Sequence, residues 1–158
     1  MNHKILIIYY SLTGNVKFMA EKLGDILQCD IKDINEISSK AFSKISLIKD
    51  YLIPFDCELT INQDELLQYD MVILGYPIWM FNKVHPLFNI LKSRLESLNH
   101  KYAQFTSYGF CSWNFPGKSK YNDNFTGSLK MKSPFHSDEQ AAIKALTEWA
   151  QELTTKLQ

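Results

Sequence analysis

The turn Ser11-Leu12-Thr13-Gly14-Asn15-Val16 stands between an unbroken apolar run, Ile5-Leu6-Ile7-Ile8, and a segment with helical apolar spacing. A hydroxyl-rich turn that feeds a helix N-terminus leaves main-chain N–H groups unpaired beside the positive end of the helix dipole, a ready seat for a phosphate. Gly14 lets the backbone come close to such a ligand, and Ser11 and Thr13 can add hydroxyl hydrogen bonds. The same residue types also make ordinary N-caps, so the turn alone leaves both readings open. It lacks the Gly-Lys-Ser/Thr ending of a P-loop and the Gly-x-Gly-x-x-Gly of a dinucleotide fold. A second cluster, Gly75-Tyr76-Pro77-Ile78-Trp79-Met80-Phe81, follows the run Met71-Val72-Ile73-Leu74. An aromatic-rich loop of this kind can sandwich a flat ring, and equally Trp79 and Phe81 can cap a core. In an open α/β sheet, ligands lie outside the carboxyl ends of the strands at the switch point, where both clusters would stand.

The elements needed to position them are legible. Both apolar runs suit strands covered on two faces, as in the middle of a parallel sheet. Val16, Met19, Ala20, Leu23, Ile26 and Leu27 form one helical stripe after the first run. The second run ends at Gly75, and Pro86 then opens a helix with Leu87, Phe88, Leu91, Leu95 and Leu98 on its inner face. Ser137 and Gln140 form a capping-box pattern for a last helix, which buries Ala142, Ala145, Leu146, Trp149, Ala150 and Leu153. Weaker strands are expected at Cys29 to Ile34, Ala103 to Tyr108 and Ser128 to Lys132, the last alternating Leu129 and Met131 with polar residues as an edge strand does. Residues 35 to 62 are ambiguous: Ala41 to Leu52 could be a helix, but Pro54 and the polar flanks break the pattern. Strands alternating with helices predict an α/β, doubly wound sheet with right-handed crossovers and helices on both faces.

Size and composition bound the rest. A chain of 158 residues, 46% apolar, buries one proper core and is expected to be a single domain, residues 1–158. No apolar run approaches the roughly 20 residues needed to cross a bilayer. Met1-Asn2-His3-Lys4 runs directly into the first strand without a leader pattern, so a cytoplasmic protein is expected. Cys29, Cys57 and Cys111 are odd in number and widely spaced, which argues for reduced thiols. Seventeen basic and seventeen acidic residues cancel, so no global field draws the chain to nucleic acid or to a membrane. His3, His85, His100 and His136 have no metal-ligand spacing, and no metal site is expected.

Ser11-x-Thr13-Gly14-Asn15 after a strand, followed by Asp70-Met-Val-Ile-Leu-Gly75-Tyr-Pro77-Ile-Trp79 and a Pro-initiated helix, resembles the flavodoxin family. A third piece, Ser107-Tyr108-Gly109-Phe110, is similar to the second flavin-flanking loop of flavodoxin-like proteins. The resemblance implies a five-stranded parallel sheet and an FMN cofactor whose phosphate lies in the turn Ser11, Leu12, Thr13, Gly14, Asn15 and Val16. It implies a flavin ring between the loop Tyr76, Pro77, Ile78, Trp79, Met80 and the loop Ser107, Tyr108, Gly109, Phe110, Cys111. Trp79 is the first choice for stacking, with Tyr108 or Trp113 on the other side. The protein would fix and tune the cofactor, which carries the chemistry. No acid, base or nucleophile constellation is needed, and no catalytic residue is assigned.

The implied function is electron transfer between redox protein partners, a reductase and an acceptor, meeting at the flavin edge. Two competing functions are an FMN-dependent NAD(P)H:quinone-type oxidoreductase and a degenerate flavodoxin-like binding module without flavin. Three features depart from the family pattern. Val16 replaces the hydroxyl usual at the end of the phosphate loop, and the chain is formally neutral where long electron carriers are acidic. Cys111 to Gly127 shows no helical stripe where a fourth helix belongs; its Trp113, Phe115, Tyr121 and Phe125 suit a lid over the flavin, a partner surface, or filling for the missing helix. Cys111 beside the ring site is a possible redox partner, although a small buried cysteine is the commoner case. His85 is expected at the start of the Pro86 helix, with a role as proton donor to reduced flavin the less favoured alternative.

Overall fold

The computed structural model describes residues 3–39, 58–78, 84–109, 123–133 and 138–158. Five strands form one sheet: β1 (Ile5–Tyr9), β2 (Asp30–Asp33), β3 (Met71–Ile78), β4 (Tyr102–Tyr108) and β5 (Phe125–Lys132). Their spatial order is β2-β1-β3-β4-β5, and every pairing is parallel. The helices are α1 (Asn15–Leu27), a short α2 (Gln63–Leu66), α3 (Pro86–Ser97) and α4 (Glu139–Thr155). The expected doubly wound α/β sheet is what forms.

Alternation along the central strands divides the core into two layers. Ile5, Ile7, Tyr9, Met71, Ile73, Ala103 and Phe105 face α1 and α4, where they meet Met19, Leu23, Leu146, Trp149 and Leu153. Leu6, Ile8, Tyr10, Val72, Leu74, Tyr76 and Tyr102 face the other way, against Leu66 of α2 and Leu87, Phe88, Leu91 and Leu95 of α3. Both faces are covered, which is why β1 and β3 read as continuous apolar runs.

Four local readings need correction. The strand that the sequence ends at Gly75 continues to Ile78. Gly75 is a packing glycine rather than a terminator: a Cβ there would lie 2.2 Å from Cζ of Phe105. Pro77 is tolerated inside β3 because Gly75 O, accepting from Tyr10 N at 2.9 Å, shows that this side of β3 faces β1, and β1 pairs no further than Gly75. In α1, Phe18 and Gly24 are buried while Ile26 is exposed, since Gly24 rather than Ile26 faces the Ile31 side chain of β2. β5 starts at Phe125 instead of Ser128. An irregularity in the ladder pairs Tyr102 with Phe125 but Ala103 with Gly127, so the extra residue Thr126 breaks the alternation that marks the rest of the strand. Phe125 thereby joins Tyr102 in one layer, while Leu129 and Met131 pack in the other. Finally, Asp138 caps α4, its Oδ1 accepting from Ala141 N at 3.0 Å. A carboxylate both satisfies an end N–H and answers the helix dipole, and Ser137, the sequence choice, lies outside the described residues.

The β2 region also differs in detail. Ile34 leaves the expected strand to open a 3-10 turn, Ile34–Glu36, closed by a capping box between Asp33 and Glu36. Of the ambiguous segment, residues near Ser38 and Leu59 pair antiparallel, with Ser39 N donating to Glu58 O and Thr60 N to Ile37 O, both at 2.8 Å. The possible helix Ala41 to Leu52 lies outside the described residues, as do Cys57 and most of Cys111 to Gly127. Cys29 is a free thiol, half-buried, which burial and the Asp30 charge push up to about 12. Leu98 and Ala145 are half-buried at the margins of their stripes.

Two substitutions test this packing. Phe105 is held edge-on against Trp149, with ring centroids 6.4 Å apart, so it cannot retreat from a methyl group at position 75. Gly75→Ala is expected to lose about 1–3 kcal/mol in urea unfolding, with part recovered in a Gly75→Ala/Phe105→Leu double variant. The Thr106 hydroxyl is buried and has no hydrogen-bond partner among the described residues. Thr106→Val should therefore raise stability by about 1 kcal/mol in the same assay, and a loss of that size would show that the hydroxyl is satisfied.

Candidate functional site

The chain turns back from β1 to β2 and then crosses to β3, so the switch point lies between β1 and β3, at their carboxyl ends. Three segments leave the sheet there: the turn after β1, the end of β3 and the end of β4. Register places the last two side by side, Pro77 opposite Ser107 and Ile78 opposite Tyr108.

The turn after β1 is built by its own side chains. Gly14 N donates to Ser11 Oγ at 3.1 Å, and Asn15 Nδ2 donates to Thr13 Oγ1 at 2.9 Å. Gly14 takes φ 90°, the left-handed region that favours glycine, and the space where its Cβ would stand is open for 4 Å. It is the N-cap residue of α1, and Phe18 N completes the first helical bond to Gly14 O at 2.9 Å. No side chain caps α1, and no acidic residue lies in its first turn. The other described helical segments differ, being capped by Asp33, Asn62, His85 and Asp138. The amide end of α1 therefore faces the switch point with its dipole unanswered by a side chain, which is the donor set a phosphate takes.

The sequence-selected residues divide by what their side chains do. Thr13 is exposed, and Ser11, Leu12 and Gly14 are half-buried. Asn15 and Val16 are buried, Val16 at 1% exposure within the α1 layer of the core. Val16 can thus offer only its main chain to the turn. Tyr76 also faces inward: its hydroxyl donates to Gln104 Oε1 at 2.7 Å and its ring lies 5.0 Å from that of Phe88. Pro77 is half-buried, Ile78 and Ser107 are buried, and Gly109 is exposed. Tyr108 is fastened at the end of β4, where its carbonyl accepts from Ser133 N at 3.0 Å and Ser133 Oγ at 3.2 Å. Trp79, Met80, Phe110, Cys111 and Trp113 lie outside the described residues.

Two further residues at this rim were not picked out as site residues. Lys130 of β5 places its Nζ 4.7 Å from the Tyr108 ring centroid. The β5 alternation, with Leu129 and Met131 inward, was the available signal, because it sends Lys130 to the opposite face. His85 caps α3 through Nδ1, which accepts from Leu87 N at 3.3 Å, and its buried ring packs 5.4 Å from Tyr10. Among the described residues no group of three His, Cys, Asp or Glu side chains could hold a metal, and no described helix is long and apolar enough to cross a membrane.

Burial, then the charge of Asp33, pushes the Tyr10 phenol up to about 12; burial, then Asp33, Glu21 and Glu36, raises Tyr9. A phenol whose ionisation is raised by folding favours the native state while neutral. That contribution is complete below the unfolded value near 10 and is lost as pH climbs towards about 12. Urea stability of the wild type should accordingly fall between these limits, with Cys29 and Tyr69, also pushed up to about 12, acting in the same direction. Tyr10→Phe should flatten part of the decline; an unchanged slope would show that Tyr10 does not report the folded environment.

Comparison with solved structures agrees with the architecture. The chain superposes on oxidised flavodoxin 2 from Bacillus cereus with a TM-score of 0.61 at 18% identity, covering 97% of this chain and 99% of that one. A protein from Bacteroides eggerthii assigned as a flavoprotein gives 0.63 at 23% identity, over 94% and 98%. A flavoprotein from Lactobacillus acidophilus, solved in complex with FMN, gives 0.51 at 19% identity, over 88% and 99%. No protein-family profile and no curated protein matches the sequence. With its all-parallel β2-β1-β3-β4-β5 sheet and helices on both faces, the chain has the flavodoxin-like fold.

Proposed function

We propose that this protein binds FMN and carries electrons between redox partners. The observation that carries the reading is the N-terminus of α1, which no side chain caps, at the switch point of a flavodoxin-like sheet. The residues present fit a phosphomonoester: main-chain N–H groups of the α1 turn that follows Gly14, the exposed Thr13 hydroxyl, and open space above Gly14. Ser11 would act as a positioning residue, because its hydroxyl already holds the Gly14 amide and so fixes the turn's shape. Ile78 and Tyr108, neighbours in the β3–β4 register, launch the two segments that would flank the ring. Bound FMN would supply one- and two-electron redox chemistry, and the chain would supply binding, orientation and exclusion of water. The Lactobacillus acidophilus neighbour with FMN bound supports this choice among phosphate-bearing ligands.

Purified protein should be yellow or become so on adding FMN, with the phosphate-free analogue riboflavin binding far more weakly. Thr13→Ala should raise the FMN dissociation constant roughly tenfold, the value of one hydroxyl bond to an anion, while leaving riboflavin binding unchanged. Fluorescence-quench titration reads both. A colourless chain that takes up no FMN would point to the binding-module alternative, and bleaching by NADPH without a partner would point to a reductase.

A further inference from the structure

Tyr108 closes β4, and its carbonyl is held by more than a strand end requires. Ser133 N donates to Tyr108 O at 3.0 Å, and Ser133 Oγ donates to the same oxygen at 3.2 Å. The main-chain bond is an ordinary last rung. Lys132 is the register partner of Tyr108 and the residue after it donates, just as Tyr10 N donates to Gly75 O one residue past the Tyr9–Gly75 pair. The hydroxyl bond is additional, and it gives the carbonyl a donor for its second lone pair. Ser133 makes these bonds from an unfavourable backbone. Its φ of 35° lies in the left-handed region that side chains disfavour, and a residue ahead of a proline, here Pro134, prefers extended backbone. The other two described non-glycine residues with positive φ, Gln28 and Asn99, follow α1 and α3, where a left-handed residue is a common way to end a helix. Ser133 has no helix to end. Strain of this kind persists only where the surroundings fix it, and it gathers at ligand sites.

What Ser133 holds is the peptide between Tyr108 and Gly109. That unit is planar, so a carbonyl turned to β5 turns the Gly109 amide the opposite way, toward β3 and Ile78, the register partner of Tyr108. Gly109 itself is exposed at the rim. The direction in which the chain leaves β4 is thus set from β5, by a residue 25 positions away. We infer that Ser133 is a positioning residue of the proposed flavin site, locking the Tyr108–Gly109 peptide from which the second ring-flanking segment departs. On the FMN reading, on which this inference rests, the ring lies between the ends of β3 and β4, on the side to which that peptide turns its amide. The Tyr108 side chain is engaged separately, with Lys130 Nζ 4.7 Å from its ring centroid, so the lock acts on main chain whichever side chain lies against the flavin. Were Ser133 only the stop of β5 ahead of Pro134, neither its hydroxyl nor any effect on a ligand would be needed.

Flavin affinity and urea unfolding, measured on the same variants of the whole chain, test this role. Ser133→Ala removes the hydroxyl and keeps the cost of the left-handed backbone, whereas Ser133→Gly removes the hydroxyl and relieves that cost. Both should raise the dissociation constants of FMN and riboflavin by the same factor, about threefold to tenfold, the worth of one hydrogen bond. An equal factor places the effect at the ring, in contrast to Thr13→Ala at the phosphate. The visible circular dichroism of FMN bound at saturation should weaken, since the ring is held less firmly. Stability should run the other way: Ser133→Gly should unfold at higher urea than Ser133→Ala while binding flavin no more tightly. Wild-type affinity in Ser133→Ala, a loss confined to FMN, unchanged dichroism, or affinities that follow the urea midpoints of the two variants would each overturn the inference and leave the FMN reading standing. Failure of the FMN reading shows earlier, as a wild-type protein that takes up no flavin.

Discussion

The bond from Tyr10 N to Gly75 O is the last rung that β1 shares with β3, and the rim is shaped by where it falls. Beyond it β3 and β4 run on together to Ile78 and Tyr108, while the chain leaving β1 turns through Ser11–Gly14 into α1. β1 and β2 stopping while β3 and β4 continue makes a step at the switch point. Pro77 can sit in that step because it has no N–H to leave unpaired on the vacated side. The helix that begins there is also, among the described helices, the one without a side-chain cap. A ledge, an open edge and an unanswered dipole thus arise together from one register.

Behind the rim the packing leaves little room for adjustment. Gly75 admits the Phe105 ring, and that ring meets Trp149 of α4, so the geometry of the central strands is tied to the last helix. On the other face Tyr76 and Gln104 join β3 to β4 through a buried hydrogen bond, with Tyr76 against Phe88 of α3. A buried pair of this sort fixes strand register as well as adding stability, because slipping by one residue would strand both polar groups in apolar surroundings. At the edge, Lys156 donates to Thr126 O at 2.8 Å, which satisfies a carbonyl at the bulge. Both layers therefore brace the strand ends from which the candidate site is made.

The parts of the fold that local pattern dictates were legible in the sequence. β1 and β3 announce themselves because burial on both faces selects unbroken apolar runs, and α3 because Pro86 opens it and its stripe repeats cleanly. Two of the misreadings share a cause: a residue's role was set by a neighbour in another element. Gly75 reads locally as a strand end and serves instead as a socket for Phe105, some 30 residues on. Phe125 is lost to β5 because Thr126 inverts the alternation. Ile26 yields its place on α1 because Gly24 closes onto Ile31. Within the site, the turn was legible as chemistry because its hydroxyls and glycine are local features. The inward direction of Tyr76 and the position of Lys130 over Tyr108 depend on which layer each strand faces, whereas the burial of Val16 was legible from its place in the helical stripe.

Val16 also bears on how such a site can persist while sequence similarity fades. A hydroxyl at that place would have to sit where the valine side chain is now fully enclosed by the α1 layer, so in this chain the position belongs to the core. On the proposed reading, what remains for the phosphate is mostly main chain, and main-chain amides are supplied by any residue that keeps the turn's shape. Within the turn the shape depends on Gly14, which tolerates φ 90° cheaply, and on Ser11, which holds its amide. The fold itself is shared over nearly the whole length with flavodoxin 2 from Bacillus cereus at 18% identity. Backbone geometry is kept by packing, and packing constrains volume and periodicity more than it constrains residue identity.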